Sequence, residues 1–253
     1  TRVLLSEESQ GVSLDFLDYP HLLVAGATGS GKSCMLHRII TQIILNNPNT
    51  ELLLIDPKRV EFFDYESYSN LYTDKVIETP KKALSALSEL CEEMDERYRM
   101  LRVYHKRNSM EMASLNDIYV VIDELSFLML ENKKECEEYL SKIGMLGRAC
   151  GIHLVLATQH PDRKTITGTI QSNISAVIGL ATRQAVDSRL IIGNNSLTAL
   201  KGKGDAILQA GLEEIHFQGA YVSPEDIQKV VSEPDTVNMP VKIRTSIKQY
   251  LRS

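Results

Sequence analysis

Short apolar runs alternate with longer segments of helical periodicity along most of the chain. The runs are residues 22–25, 51–56, 118–123, 152–158 and 175–182. Apolar runs of this length, without polar alternation, are typical of strands buried on both faces. Residues 33–45 and the segment that begins at Pro80 instead space their apolar residues three and four positions apart, as helices do. This alternation predicts an α/β fold with a mostly parallel central sheet and helices on both faces.

The two ends of the pattern differ from its centre. Residues 3–16 alternate loosely around Gly11, which predicts a small N-terminal β-hairpin. Late strands are expected at 205–208 and 215–222, before a final helix opened by Ser223, Pro224 and Glu225.

The chain of 253 residues is long enough for one large α/β domain. Its last segment is rich in polar residues and prolines. We therefore assign residues 1–232 to a single domain and residues 233–253 to a C-terminal tail or linker.

The most specific chemical signal follows the first apolar run. Residues 26–33 match the phosphate-loop pattern G-x-x-x-x-G-K-[ST] in full, between a strand and a helix. Glycines let the backbone wrap an anion, and the helix N-terminus directs free N–H groups at it. Lys32 is expected to reach the β- and γ-phosphates of ATP, and the Ser33 hydroxyl to ligate Mg²⁺. A turn that binds no nucleotide is disfavoured, because every position and both flanks match. The expected nucleotide-binding residues are Gly26, Ala27, Thr28, Gly29, Ser30, Gly31, Lys32, Ser33 and Cys34.

Three other strand ends carry polar side chains. Asp123 and Glu124 follow an apolar strand in the Walker B arrangement, in which Asp123 would hold Mg²⁺ with Ser33 and Glu124 would polarise the attacking water. The alternative is a solvated helix start, where acidic residues are favoured anyway. Gln159 ends the next strand and would sense hydrolysis, or simply belong to a turn before a proline. Asp56 and Lys58 end the second strand, at the sheet edge where ligands bind, although a plain turn is equally compatible.

Charge limits the partners. The net charge is −5 and the sequence pI is about 5.7, whereas proteins that coat DNA non-specifically are usually basic. Any DNA contact must therefore be local. The last third of the chain offers Arg163, Lys164, Arg183, Arg189, Lys201 and Lys203.

Location is indicated by two further features. No apolar run is long enough to span a bilayer, and the four cysteines show neither C-x-x-C pairs nor metal spacing. We expect a cytoplasmic location with reduced thiols, and membrane attachment only through other segments of a parent protein.

Taken together, these motifs resemble the FtsK/SpoIIIE family of DNA-pumping motors over residues 3–230. Several short motifs in one fixed order are more specific than a phosphate loop alone. The segments that carry the resemblance are residues 21–26, 55–58, 92–98, 121–125, 148–159, 166–168, 187–189 and 202–205.

The resemblance implies a RecA-like fold assembled as a hexameric ring around double-stranded DNA, with ATP bound between subunits. It also makes Arg148 a trans arginine finger, although the sequence around it alone favours a cation at a helix C-terminus. In a ring only the lining of the channel need be basic, so the negative net charge of the chain does not exclude DNA as a partner.

Departures from the family pattern concern the DNA contacts. Arg189 matches a family position on a pore loop, but His160 stands where the family usually has arginine, and Ala185 replaces a basic residue. The contacts with DNA would then be redistributed to Arg163, Lys164 and Arg183. The expected DNA-binding residues are Arg189, Arg183, Arg163, Lys164 and His160.

Two alternatives remain open at this point. A related ring ATPase that moves protein, as in type VII secretion, is supported by the acidic balance and by His160. A nucleotide-binding scaffold without hydrolysis is opposed by the intact Lys32, Asp123 and Glu124.

Overall fold

A computed structural model describes residues 1–6 and 11–232. Its strands are β1 (Arg2–Leu4), β2 (Ser13–Asp15), β3 (His21–Ala25), β4 (Glu51–Ile55), β5 (Ile118–Ile122), β6 (Ile152–Thr158), β7 (Ala176–Leu180), β8 (Asp205–Ala210) and β9 (Glu213–Gln218). Its α-helices are α1 (Lys32–Asn46), α2 (Pro80–Val103), α3 (Leu125–Cys150), α4 (Gly168–Asn173), α5 (Ala185–Ile192) and α6 (Pro224–Ser232). Each apolar run of the sequence corresponds to a strand, and the predicted C-terminal tail lies outside the described residues.

Seven strands form the central sheet in the order β4-β5-β6-β3-β7-β8-β9. The first five of these run parallel, and β3 lies between β6 and β7, with Leu22 opposite Val155 on one side and Ala176 on the other. Strands β8 and β9 extend the sheet as antiparallel neighbours. The prediction of a mostly parallel sheet is confirmed. Because the parallel strands all end at one edge, the loops after β3, β4, β5 and β6 meet there.

Alternate residues of the strands face opposite sides of the sheet. Leu22 and Val24 join the core beneath α1 and α6, whereas Leu23 and Ala25 join the core beneath α2 and α3. All four are buried. The predicted helices on both faces are therefore confirmed, and period-two alternation explains how one apolar run serves two cores.

The small N-terminal hairpin is also present. Strands β1 and β2 pair antiparallel, with Val3 opposite Leu14, and β1 packs on α1. The second late strand differs from its expected bounds of 215–222. It starts at Glu213, because Gly211 takes a left-handed φ of 61° in the tight turn after β8.

Among the described residues, no helix is both long and apolar enough to cross a membrane. The four cysteines are free thiols, three of them buried in the core: Cys91, Cys136 and Cys150.

Candidate nucleotide-binding site

The phosphate loop leaves the central strand β3 and enters α1 at Lys32. Gly29 and Gly31 have φ values of 80° and 104°, a region that side chains with a Cβ rarely adopt. A Cβ on Gly31 would also lie 2.3 Å from the backbone nitrogen of Gly204. Both glycines therefore allow the backbone conformation of the loop. In that conformation the loop and the free N–H groups of the helix N-terminus surround an anion site.

The phosphate loop is tied to the antiparallel end of the sheet. The Gly204 N–H donates to the Ser30 carbonyl at 2.8 Å, and the Gly219 N–H donates to the Gly204 carbonyl at 2.8 Å. Nothing in the sequence of residues 202–205 by itself indicates such a contact. The hydrogen bonds make this segment a physical link between β8, β9 and the phosphate loop.

Lys32 and Asp123 form a buried pair at the centre of the site. The Lys32 ammonium is 3% exposed, bonds the Asp123 carboxylate and donates to the Asp123 carbonyl at 2.9 Å. Burial raises the pKa of the Asp123 carboxyl, while the charge of Lys32 acts in the opposite direction. The second oxygen, Oδ2, is buried and finds no hydrogen-bond partner in residues 1–6 and 11–232. An orphaned, buried carboxylate oxygen of this kind fits a cation.

The Ser33 hydroxyl donates to Glu61 Oε1 at 2.6 Å. Because its hydrogen is given to Glu61, the lone pairs of the Ser33 oxygen stay available. Oxygen ligands of this type suit Mg²⁺, so Ser33 and Asp123 are the residues that would hold the ion. Glu61 lies six positions after the end of β4 and has no local motif of its own, so the sequence does not point to it.

Glu124 is almost fully buried, at 1% exposure. Its carboxylate accepts from Thr158 Oγ1 at 2.7 Å, from Ser126 Oγ at 2.9 Å and from the Gln159 N–H at 3.1 Å. Lys58 Nζ donates to it at 3.0 Å. Burial acts to raise the pKa of Glu124, but hydrogen bonds from Thr158, Lys58 and Gln159 outweigh it and leave the pKa below its usual value. Glu124 is therefore held as a carboxylate.

Gln159 reaches the phosphate loop through its side chain. Its Oε1 accepts the Thr28 hydroxyl hydrogen at 3.0 Å, while its backbone N–H contacts Glu124. One residue thus touches both the phosphate loop and the carboxylate expected to polarise water. A residue that senses hydrolysis needs contacts of this kind.

Arg148 lies at the opposite edge of the sheet. It precedes β6, whose residue Leu154 pairs with His21 at the start of β3, whereas the phosphate loop follows the end of β3. The five residues of β3 alone span about 16 Å. The exposed guanidinium donates to the Leu17 carbonyl at 2.8 Å. Arg148 therefore does not meet the phosphate loop of its own chain.

The five expected DNA-binding residues are all exposed and lie in three places after the carboxyl ends of β6 and β7. Arg163 and Arg189 line one groove of about 860 Å³, together with Asp162 and Asp187. His160 and Lys164 belong to the loop after β6, and Arg183 to the loop after β7, but these three do not line the groove. The structure thus brings together two of the five expected residues, next to two carboxylates.

Sequence comparison relates the chain to known proteins. The model of the FtsK/SpoIIIE family matches residues 5–115 and 105–163. The DNA translocase FtsK of Lactiplantibacillus plantarum is 37% identical over 240 residues, which cover 87% of this chain and 30% of that protein. The chain thus spans about a third of the length of the curated relatives that it matches.

Two solved structures share the fold. One is the monomer form of the pCW3 conjugation coupling protein TcpA with ATPγS, at a TM-score of 0.78 and 30% identity over 90% of this chain and 70% of that one. The other is the cytoplasmic domain of the type VII secretion ATPase EccC of Thermomonospora curvata. Its TM-score is 0.77 and its sequence identity is 26%, over 96% of this chain and 32% of that one. The fold is that of a P-loop ATPase. Since the family model covers more than half of its residues, the chain belongs to the FtsK/SpoIIIE family.

Proposed function

We propose that residues 1–232 form the ATP-hydrolysing motor core of a ring that translocates double-stranded DNA, with residues 233–253 as a tail or linker. The observation that carries the proposal is the division of the catalytic groups between two edges of one sheet. Lys32, Asp123 and Glu124 lie at one edge, and Arg148 at the other. Two subunits packed head to tail would complete one site, and repeated contacts of that kind close into a ring.

Each residue then has a role in hydrolysis. Lys32 and the N–H groups of the phosphate loop would hold the phosphates, and Ser33 and Asp123 would hold Mg²⁺. Bound Mg²⁺ supplies positive charge that offsets the charge developing on the phosphates. Glu124 orients the attacking water, Gln159 contacts the phosphate loop, and Arg148 of a neighbouring subunit stabilises the transition state.

The surface around Arg148 supports burial against a neighbour. Met110 and Met145 are 66% and 65% exposed, and they line a cavity with Arg148 and Leu17. Exposed apolar side chains beside a functional cation are typical of an interface. The proposed assembly is a hexamer, the ring that the family resemblance implies.

Double-stranded DNA is the proposed cargo because the curated relatives are DNA translocases and Arg163 and Arg189 share a groove. The second candidate is a protein cargo. It is favoured by the likeness to the type VII secretion ATPase and by Asp162 and Asp187, which make the groove mixed in charge. In either case the motor acts in the cytoplasm, and any membrane attachment comes from other segments.

The test measures ATP hydrolysis per subunit against protein concentration, with and without linear double-stranded DNA at low salt. A rate that rises steeply with concentration, and again with DNA, is the expected result. A rate that rises with protein concentration but does not change with DNA contradicts DNA as the cargo. Stimulation of hydrolysis by a peptide would then favour protein transport. Glu124→Gln is the control variant, and hydrolysis at the parent rate in this variant would contradict the enzymatic proposal.

A further inference from the structure

The loop after β4 places a carboxylate against the start of α1. Glu61 Oε1 accepts the Ser33 hydroxyl hydrogen at 2.6 Å, and Glu61 Oε2 lies 3.8 Å from His37 Nε2. Ser33 and His37 are one helical turn apart, so they lie side by side on α1. The Glu61 carboxylate therefore bridges two side chains of the helix that begins at the phosphate loop.

This placement of Glu61 is fixed by its own backbone. Asp56 is buried, at 1% exposure, and its Oδ2 accepts the Glu61 N–H at 2.7 Å. The same carboxylate also accepts the backbone N–H groups of Lys58, Arg59 and Phe62. A carboxylate that gathers several backbone N–H groups holds a loop in one conformation.

Aromatic packing fixes the other end of the loop. Phe62 and Tyr65 are fully buried, and the ring of His37 stacks on Tyr65 with centroids 5.7 Å apart. The Tyr65 hydroxyl lies 3.0 Å from His37 Nδ1. Glu61 therefore approaches Ser33 from a rigid support, which is what a precise orienting contact needs.

The hydrogen bond to Glu61 sets the direction of the Ser33 lone pairs. A serine hydroxyl has one hydrogen, and donating it to a carboxylate leaves the oxygen lone pairs to face another group. Asp123 Oδ2 is a buried carboxylate oxygen that has no hydrogen-bond partner among the described residues, and a carboxylate oxygen in this state suits a cation shared with Ser33. The other Asp123 oxygen is occupied by Lys32. The orienting acceptor for Ser33 is therefore Glu61.

We propose that Glu61 is a positioning residue for Mg²⁺, which orients the Ser33 hydroxyl toward the ion and adds negative charge behind it. The inference rests on the proposed ATP site. Partners of this outer kind fix the geometry of a ligand and raise its basicity, and their removal weakens metal binding by roughly 10- to 100-fold.

The experiment measures binding of fluorescent ATPγS to the full chain, first in EDTA and then across a MgCl₂ titration. Glu61→Ala is expected to raise the MgCl₂ concentration for half-maximal enhancement about 10-fold or more, and to leave binding in EDTA at the parent level. For Glu61→Gln this MgCl₂ concentration should lie between those of the parent and of Glu61→Ala, because the amide oxygen accepts the Ser33 hydrogen but carries no charge. Glu66→Ala, at an exposed position of the same segment, should match the parent.

Two results would overturn the inference alone. One is a Mg²⁺ dependence of Glu61→Ala equal to that of the parent. The other is an equal loss with and without Mg²⁺, which indicates that Glu61 only supports the fold. A parent chain that binds no ATPγS under either condition would instead overturn the proposed site, and this inference with it.

Discussion

The Lys58 ammonium lies 3.0 Å from Glu124 Oε2, across 66 positions of sequence. Thr158 and Ser126 donate to the other oxygen, and the Gln159 N–H donates to Oε2. A carboxylate offers about four lone-pair positions, so these four donors fill them. A water molecule can approach Glu124 only when one donor leaves. Lys58 has the longest side chain of the four, and that side chain is 25% exposed.

The Lys58–Glu124 pair should be visible in stability measurements. Lys58→Met leaves a buried carboxylate without its cation, and we expect a loss of about 2 kcal/mol in the free energy of unfolding, since three donors remain. Adding Glu124→Gln removes the uncompensated charge, so the double variant should recover about 1 kcal/mol or more of that loss. Urea unfolding of the four proteins of this cycle measures the coupling. Strictly additive changes in the free energy of unfolding would contradict a coupling between Lys58 and Glu124.

The matched control is a pair of similar length at the surface. Lys142 lies 2.9 Å from Asp95, and both side chains are exposed. Exposed pairs contribute about 0–1 kcal/mol, so Lys142→Met should cost little.

Two glycines of the phosphate loop should respond differently to alanine. Both have positive φ, so each substitution carries backbone strain of about 1 kcal/mol or more. A Cβ on Gly31 also collides with the backbone of Gly204, whereas a Cβ on Gly29 meets nothing within 4 Å. Gly31→Ala should therefore lower Tm clearly more than Gly29→Ala, by thermal unfolding without nucleotide. Equal shifts would mean that the contact with Gly204 contributes nothing.

The sequence predicts this fold well where a signal is local. Each strand of the parallel sheet is a continuous apolar run, and Gly26–Ser33 and Asp123–Glu124 are contiguous motifs, so their position at strand ends follows from sequence order. The order β4-β5-β6-β3-β7-β8-β9 does not follow in this way, because pairing depends on contacts between distant segments.

The parts of the site that sequence reasoning missed depend on long-range contacts. Glu61 reaches Ser33 only because the buried Asp56 folds the intervening loop, and no spacing rule predicts that turn. Lys58 follows the end of one strand, but its partner Glu124 follows a different strand. The Gly204–Ser30 hydrogen bond likewise joins the two ends of the domain.

The position of Arg148 leads to a complementation test. Lys32→Ala should abolish nucleotide hydrolysis by removing the phosphate contact, and Arg148→Ala should lower it by about 10³-fold or more while leaving nucleotide binding intact. Each variant alone is defective at every site of a ring. In mixed rings, an Arg148→Ala subunit keeps a complete phosphate loop and can receive Arg148 from a Lys32→Ala neighbour.

We therefore expect mixing the two inactive variants, under conditions that exchange subunits, to restore a measurable fraction of parent ATPase activity. Mixing Lys32→Ala with a Lys32→Ala/Arg148→Ala double variant is the control, since no intact site can form. Failure of the mixture to regain activity, with exchange shown by labelled subunits, would contradict a trans role.

Arg189 offers a test of the proposed DNA contact. It is exposed, its guanidinium donates to Asn195 at 2.7 Å, and it lines the groove with Arg163. If Arg189 contacts a phosphate, Arg189→Ala should weaken binding to all DNA sequences alike and reduce the slope of log K against log salt by about one. Arg102→Ala, at an exposed position of α2, is the control. A salt slope unchanged from the parent would remove Arg189 from the interface.

Two buried histidines make stability depend on pH. Burial lowers the pKa of His21 to about 4 and that of His153 to about 3, and the neighbouring His21 also lowers the latter. His153 stacks on Tyr119, and its Nδ1 lies 3.2 Å from the Pro20 carbonyl, so that nitrogen carries the hydrogen of the neutral ring. In the unfolded chain a histidine titrates near 6.5.

Between about pH 6.5 and pH 4 the unfolded chain therefore binds more protons than the folded one, and acidification favours unfolding. The stability from each neutral histidine is fully present above pH 6.5 and is lost as the pH falls, by about 2 kcal/mol per histidine at about pH 5. His153→Gln keeps an amide donor for Pro20 but does not titrate, so its Tm should fall less between pH 7.5 and pH 5 than that of the parent. His105→Asn, at an exposed position with a left-handed φ of 54°, is the control and should retain the parent slope. A parent-like slope in His153→Gln would mean that other groups cause the acid sensitivity.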